Sequence, residues 1–226
     1  MENLYKELRS FFANDMDLND LFDSEAIIWI DWREYDEDVV NYFNDMMDEP
    51  IDIQIVSNGK PYGDDIVLKN GNKELQIPYG DEQDRDVTIK YFNDFVKPDY
   101  EVRWFAESLG NDTLGFTVLS GAEWAKLNDE FGADVVRYYF EPIDFESDMF
   151  NLGMDEVFAL LALREDSEGV NTQFSTQLDW IRIINKEKTL AEQKENGQID
   201  LKQYMVAKKE LQQSKDDFIA AHGPMK

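Results

Sequence analysis

The sequence predicts an α+β fold: a mixed β-sheet with flanking helices over about residues 1–150, followed by a helical region over 151–226. Three observations carry this reading. Short alternating or apolar runs mark strands, among them Ile51-Asp52-Ile53-Gln54-Ile55 and Tyr100 to Phe105. Segments with apolar residues at helical spacing lie between them. From Lys186 onward the chain becomes charge-balanced and helical in pattern.

The elements follow in order. Leu4, Leu8, Phe11 and Phe12 give a helical opening that extends towards Phe22. Ala26–Ile30 reads as a buried strand. After the acidic stretch Asp31–Asp38, a helix runs through Val39, Val40, Tyr42, Phe43, Met46 and Met47 and is stopped by Pro50. Ile66–Lys69 and Glu74–Ile77 form a hairpin, with Asn70-Gly71 supplying positive φ angles at the turn. A strand is expected at Leu114–Leu119, a helix at Ala122–Phe131 and a strand at Val135–Phe140. Asp155–Arg164 is apolar nearly all round, which predicts a buried helix. Phe174, Leu178, Ile181 and Ile184 give an amphipathic one. Leu201, Tyr204, Met205, Leu211, Phe218 and Ile219 line one side of the last.

One arrangement recurs. Tyr42-Phe43-Asn44-Asp45 returns 49 residues later as Tyr91-Phe92-Asn93-Asp94, and each copy ends in a proline, Pro50 or Pro98. A strand-like run (Ala26–Ile30, Leu75–Tyr79) and an acidic loop (Asp31–Asp38, Asp81–Asp86) precede each copy. This is the pattern of a duplicated strand–helix–strand unit, or of chance in a chain rich in Asp, Asn and aromatics.

Charge is the strongest compositional signal. The chain has 226 residues, 22 Lys+Arg against 49 Asp+Glu, and a net charge of −27. Residues 186–226 hold eight Lys and seven acids, so the net −28 lies in residues 1–185. Such a field repels nucleic acid and anionic membranes and attracts basic partners. Hydrophobic content of 42% with 13% aromatics argues for a folded chain. With no Cys, disulfides and thiolate metal sites are excluded. The N-terminus lacks an apolar signal core, and the densest apolar run, Val157–Leu163, is far short of a bilayer span, so a cytoplasmic location is expected.

Catalytic signals are absent. His222 is the single histidine, close to a terminus. No glycine-rich phosphate loop, dinucleotide fingerprint or Gly-x-Ser-x-Gly elbow occurs. Asp15-Met16-Asp17-Leu18-Asn19 starts like a calcium loop, but Asp20 stands at the glycine position and Ala26 at the final carboxylate. Asp81, Asp84 and Asp86 can gather round a cation or cap the helix that follows; capping is favoured. No cofactor is expected.

Two stretches interleave acids with aromatics, the combination of buried anchor and charged rim that protein interfaces use. They give the candidate partner-binding residues: Asp31, Trp32, Glu34 and Asp36 in the first, and Tyr138, Glu141, Asp144 and Glu146 in the second. The same aromatics can equally serve as core, with the acids as a solvated face.

Residues 187–215 resemble SHOCT, a short C-terminal helical hairpin. The matching positions are Gly197, Ile199, Asp200, Tyr204, Lys208 and Leu211. Gly197 can end one helix and Asp200 can cap the next, placing Tyr204, Lys208 and Leu211 on one face. The resemblance implies an oligomerisation or interaction module. Trp29-Ile30-Asp31-Trp32-Arg33-Glu34 and Asn111-Asp112-Thr113 are similar to a bacterial family of unassigned role. The acidic, catalytically empty profile also looks like that of immunity proteins of toxin systems.

The leading expectation is a non-enzymatic acidic protein that neutralises a basic partner, such as a nuclease toxin domain. The alternatives are a scaffold that self-associates through residues 187–226, and a metal-dependent hydrolase with carboxylate ligands.

Overall fold

The computed structural model describes residues 2–60, 63–166 and 172–225. The chain divides into two compact units, Met1–Leu152 and Gly153–Lys226. The fold is α+β.

In the first unit, α1 (Glu2–Phe12) and α2 (Leu18–Phe22) are separate helices. Asn14, at φ 60°, ends the first. The Asp17 side chain caps the second by accepting from the Asp20 N–H. Then come β1 (Ile28–Asp31), α3 (Asp36–Asp45), β2 (Asp52–Val56), β3 (Asp65–Asn70), β4 (Lys73–Gln76), α4 (Arg85–Val96) and β5 (Tyr100–Phe105). A 3₁₀ turn at Ala106–Ser108 leads to β6 (Thr113–Ser120), α5 (Gly121–Phe131), α6 (Ala133–Tyr139) and β7 (Phe140–Pro142). The start of α5 lies against the segment that enters β5: a Cβ on Gly121 would stand 2.5 Å from the Pro98 carbonyl oxygen.

The strands form two sheets, β1-β6-β5-β7 and β2-β3-β4, and every pairing is antiparallel. The expectation of a mixed sheet is therefore corrected. A helical crossover gives parallel neighbours only when both flanking strands join the same sheet. Here α3 leads from the four-stranded sheet into the three-stranded one, and α4 leads from the three-stranded sheet back.

This also defines what the internal repeat amounts to. The two helices are equivalent and the strands around them exchange sheets. Positions 49 apart meet across the helix pair: Asp36 with Arg85 at 2.6 Å, and the rings of Phe43 and Phe92 at 5.6 Å. Both N-terminal turns thus lie together and both C-terminal turns lie together, so the helices run side by side in one direction. The matched asparagines do matched work. Asn44 exchanges two hydrogen bonds with the backbone of Ile51, and Asn93 receives the Val102 N–H while donating to the Ile143 carbonyl. Each amide fixes the chain as it leaves its helix for the next strand.

The four-stranded sheet has helices on both faces. On one, Leu8, Phe11 and Phe12 of α1, Trp124 and Leu127 of α5 and Val136 of α6 pack with Phe105, Leu119 and Phe140. On the other, Phe43 packs on Phe116 and Phe92 on Phe43, and all three are fully buried. Each such ring contributes about 1.5–3 kcal/mol relative to leaving it in water.

Three further expectations are corrected. Val135–Tyr139 is helix rather than strand; Gly132, at φ 94°, ends α5 and starts α6, leaving Phe140–Pro142 for the sheet. The hairpin turn consists of Gly71 and Asn72 between the paired Asn70 and Lys73, and of its residues only Gly71 has positive φ, as at the first central position of a type II′ turn. The first strand begins at Ile28; Ala26 and Ile27 precede it but are buried.

The second unit comprises α7 (Met154–Asp166), α8 (Phe174–Glu195) and α9 (Leu201–His222). Gly197, at φ 68°, follows α8, and Asp200 caps α9 in a reciprocal pairing with Gln203. Lys194 and Lys208 lie over the Tyr204 ring, and Trp180 packs on Phe218. The His222 ring lies 4.8 Å from that of Phe218, tilted by 39°, at the end of α9. The helix expected to be buried all round is not: Met154 and Phe158 of α7 are 65% and 62% exposed, and only Leu160 and Arg164 are buried. Among the described residues this unit has only two other helices to set against α7, too few to cover every face of it. In α9, Phe218 is buried and Tyr204 and Leu211 are half-buried, whereas Leu201, Met205 and Ile219 are exposed and lie off that side. Among the described residues no helix is long and apolar enough to cross a membrane.

The Asp36–Arg85 pair joins the two helices inside the fold, so Arg85→Met strands a buried carboxylate. It is expected to cost about 3–5 kcal/mol in urea unfolding, and the double variant Asp36→Leu/Arg85→Met less than Arg85→Met alone.

Candidate functional site

The first acidic stretch forms the turn from β1 into α3, and Arg85 holds it from within. The Arg85 guanidinium donates to the Asp36 carboxylate at 2.6 Å, to the Asp31 carbonyl at 2.9 Å and to the Glu34 carbonyl. Thr88 donates to the other Asp36 oxygen, and the Tyr79 hydroxyl lies 2.7 Å from Thr88 Oγ1. Burial pushes the Tyr79 hydroxyl pKa up, so it stays protonated. The Glu34 N–H closes the turn onto the Asp31 carbonyl at 3.2 Å.

Outside this anchor the aromatic side chains of the turn point to solvent. Trp32 is 67% exposed and Tyr35 71%. Arg33 lies over the Trp32 ring at 5.2 Å and clamps the Asp31 carboxylate, whose pKa it lowers. Tyr35, Asp38 and Tyr42 follow at helical spacing on one exposed side of α3. Glu34 and Asp38 raise the pKa of the Tyr42 hydroxyl, which places both carboxylates near it. The result is a patch of three aromatics and two acids on a fixed backbone.

The sequence-derived residues divide. Trp32 and Glu34 belong to this patch. Asp31 edges it but is engaged by Arg33. Asp36 is a correction: it is 4% exposed and serves Arg85 and Thr88, so it meets no partner. Glu141 is also corrected; at 7% exposure it stands opposite Trp104 in β7, near the buried Arg103. Arg103 in turn stacks on Trp124 at 4.2 Å and bonds to Glu101. Tyr138 is half-buried, with its ring edge-on to Tyr139. Asp144 and Glu146 are exposed on the loop after β7, where the Asp144 carboxylate accepts from the Glu146 N–H and the Ser147 hydroxyl. Phe145 between them is 49% exposed, edge-on to Tyr91 at 5.0 Å. The two stretches lie at opposite edges of the four-stranded sheet, β1 and β7, so they form two patches rather than one.

Residues missed from sequence are Arg85, Tyr35, Asp38, Tyr42 and Phe145. Arg85 carried a signal: it is the lone cation among the acids of 81–86 and sits 49 residues after Asp36.

Asp84 and Asp86 turn to backbone N–H groups. Asp84 accepts from Val87 and caps α4. Asp86 is 1% exposed and accepts from Met149, Phe150 and Asn151; its burial raises its pKa despite these three donors. Among the described residues no group of three or more His, Asp and Glu side chains is arranged to hold a metal ion.

Comparison with known protein families, curated proteins and solved structures finds no match to this chain.

The Glu34 carboxylate is a local cost to the fold. Its Oε2 is buried without a hydrogen-bond partner, and desolvation raises its pKa. A carboxyl whose folded pKa lies above its unfolded value favours folding when protonated and loses that contribution as pH rises through the folded pKa. Glu34→Gln is therefore expected to raise Tm at pH 7, with the gain shrinking as the pH falls through the carboxylate range. Thermal melts at pH 4 and pH 7 check this.

Proposed function

We propose that this chain is a non-enzymatic binding protein that neutralises a basic protein partner through the patch formed by Trp32, Glu34, Tyr35, Asp38 and Tyr42. One observation carries the reading. Two large aromatics stand well exposed on a turn whose carbonyls are gripped from inside by a buried arginine. Exposed aromatics on a fixed backbone bind with little ordering cost, and a few such anchors dominate interface energy. Carboxylates around them speed encounter with a cationic surface. The first unit supplies the wider field, with 12 Lys and Arg against 36 Asp and Glu over residues 1–152. The concrete form is a cytoplasmic immunity protein against a bacterial toxin; a nuclease domain is basic because it must hold phosphates, and an acidic inhibitor fits the same groove.

A second reading, a scaffold that assembles through the SHOCT-like hairpin, is favoured by one feature. An open cleft of about 690 Å³ lies along α8 and α9, lined in part by Leu190, Ala207 and Leu211. Leu201, Met205 and Val206 of α9 are exposed as well.

Pull-down from native lysate with the tagged wild type, Trp32→Ala/Tyr35→Ala and Leu211→Glu separates the readings. One stoichiometric basic protein is expected on the wild type and on Leu211→Glu. The double variant is expected to bind it more than roughly tenfold more weakly, as loss of a hot spot does. Undiminished capture by the double variant contradicts the patch, and loss of every interaction in Leu211→Glu favours the scaffold.

A further inference from the structure

We propose that the free edge of β2 is a second docking site, which pairs with an extended strand of alternating basic and apolar residues from a partner protein. Among the described residues the two sheets have four edge strands; β2 and β4 are the exposed ones, and of these β2 alone carries no lysine. β7 has three residues, two of them buried, and β1 is buried or half-buried along its length. β4 carries Lys73, whose ammonium turns to the Phe95 carbonyl and ring. Four of the five residues of β2 are exposed, with Ile55 at 42% and Val56 at 46%.

An unpaired edge presents a row of N–H and C=O groups that another strand can join, and proteins usually guard it with Lys, Pro or a bulge. Asp52–Val56 contains neither Lys nor Pro and pairs with β3 residue for residue without a bulge. Along β2, Ile53 and Ile55 stand opposite the fully buried Leu68 and Ile66. Their apolar row continues the core of this sheet and stops at Ile55, half in water. An added strand covers it and satisfies the outward backbone groups, the pattern of β-strand addition.

Charge selects the occupant. At the two ends of the β2–β3 ladder stand Asp52 and Asp65. Asp52 accepts from the Gln54 amide, and Asp65 from the amides of Asn58 and Gln76. Among the described residues no Lys or Arg pairs with either; Lys69, opposite Asp52, is taken by Glu74. A strand with Lys or Arg at alternate positions brings a cation beside Asp52, the carboxylate on β2 itself, while its apolar residues extend the Ile53–Ile55 row; Asp65, on the central strand, adds to the negative field behind it. A second copy brings another 24 net negative charges in its first unit, so self-pairing is opposed. This inference rests on the basic-partner reading but uses a surface separate from the Trp32 turn.

The test uses the full chain and a fluorescein-labelled eight-residue peptide of alternating Lys and Val. The control peptide has Pro at two of the Val positions and cannot pair. Anisotropy at physiological salt is expected to show at least roughly tenfold tighter binding of the alternating peptide. Ile55→Lys is expected to abolish that preference while melting like the wild type, and Trp32→Ala/Tyr35→Ala to retain it. Amide exchange at residues 52–56 is expected to slow when the alternating peptide binds. Equal affinity of the two peptides, or unchanged exchange at 52–56, overturns the edge site and leaves the Trp32 patch to its own test. Exchange at 52–56 that slows with protein concentration alone assigns the edge to a second copy and overturns the proposal as well.

Discussion

The buried pairing of Asp36 with Arg85 is the constraint from which the rest of the first unit follows. It joins the first turns of two helices that carry the same short motif 49 residues apart. Both side chains are almost wholly out of water, which makes each dependent on the other, since an isolated buried charge is costly. Arg85 has donors left after meeting Asp36, and it spends them on the carbonyls of Asp31 and Glu34. One interaction therefore sets the helix pair and also the shape of the turn that projects Trp32 and Tyr35. With the pair in place, Phe43 closes on the sheet beneath with Phe92 packed against it, and Asn44 and Asn93 aim each helix's exit into a different sheet.

The surface this scaffold presents is acidic at some expense to stability. Self-repulsion weakens a compact state, and Glu34 holds a partly desolvated oxygen with no donor. In contrast, the acids at 84 and 86 have structural duties, as cap and as acceptor for three successive N–H groups. The same residue type thus plays opposite parts a few positions apart, and only the donor that each one meets tells them apart.

The sequence made local features legible. Gly71 marked a hairpin, and Gly197 with Asp200 marked the end of one helix and the start of the next, whereas α3 ends at Asp45, five residues short of the Pro50 expected to stop it. Such signals act within a few residues. The partition of strands between two sheets depends on pairings between distant segments, β1 with β6 and β5 with β7, so a parallel arrangement read equally well. Val135–Val136 and the tyrosines after them have strand propensity, yet their packing under α1 makes them helical. Within Asp31–Asp38 composition cannot rank the acids. Asp36 is buried because Arg85 waits 49 residues on, and Trp32 is exposed because that same arginine holds the turn outward. Of the candidate site, then, the acid–aromatic stretch was readable, whereas the choice of residues within it was set by a long-range partner.

The most direct measurement of this account is backbone ¹⁵N relaxation at residues 32–35 of the intact protein. A turn held by Arg85 should give order parameters near 0.85, the level of rigid backbone. Values below about 0.6 in that turn, beside a rigid sheet, would show that the arginine does not fix it and would contradict the account.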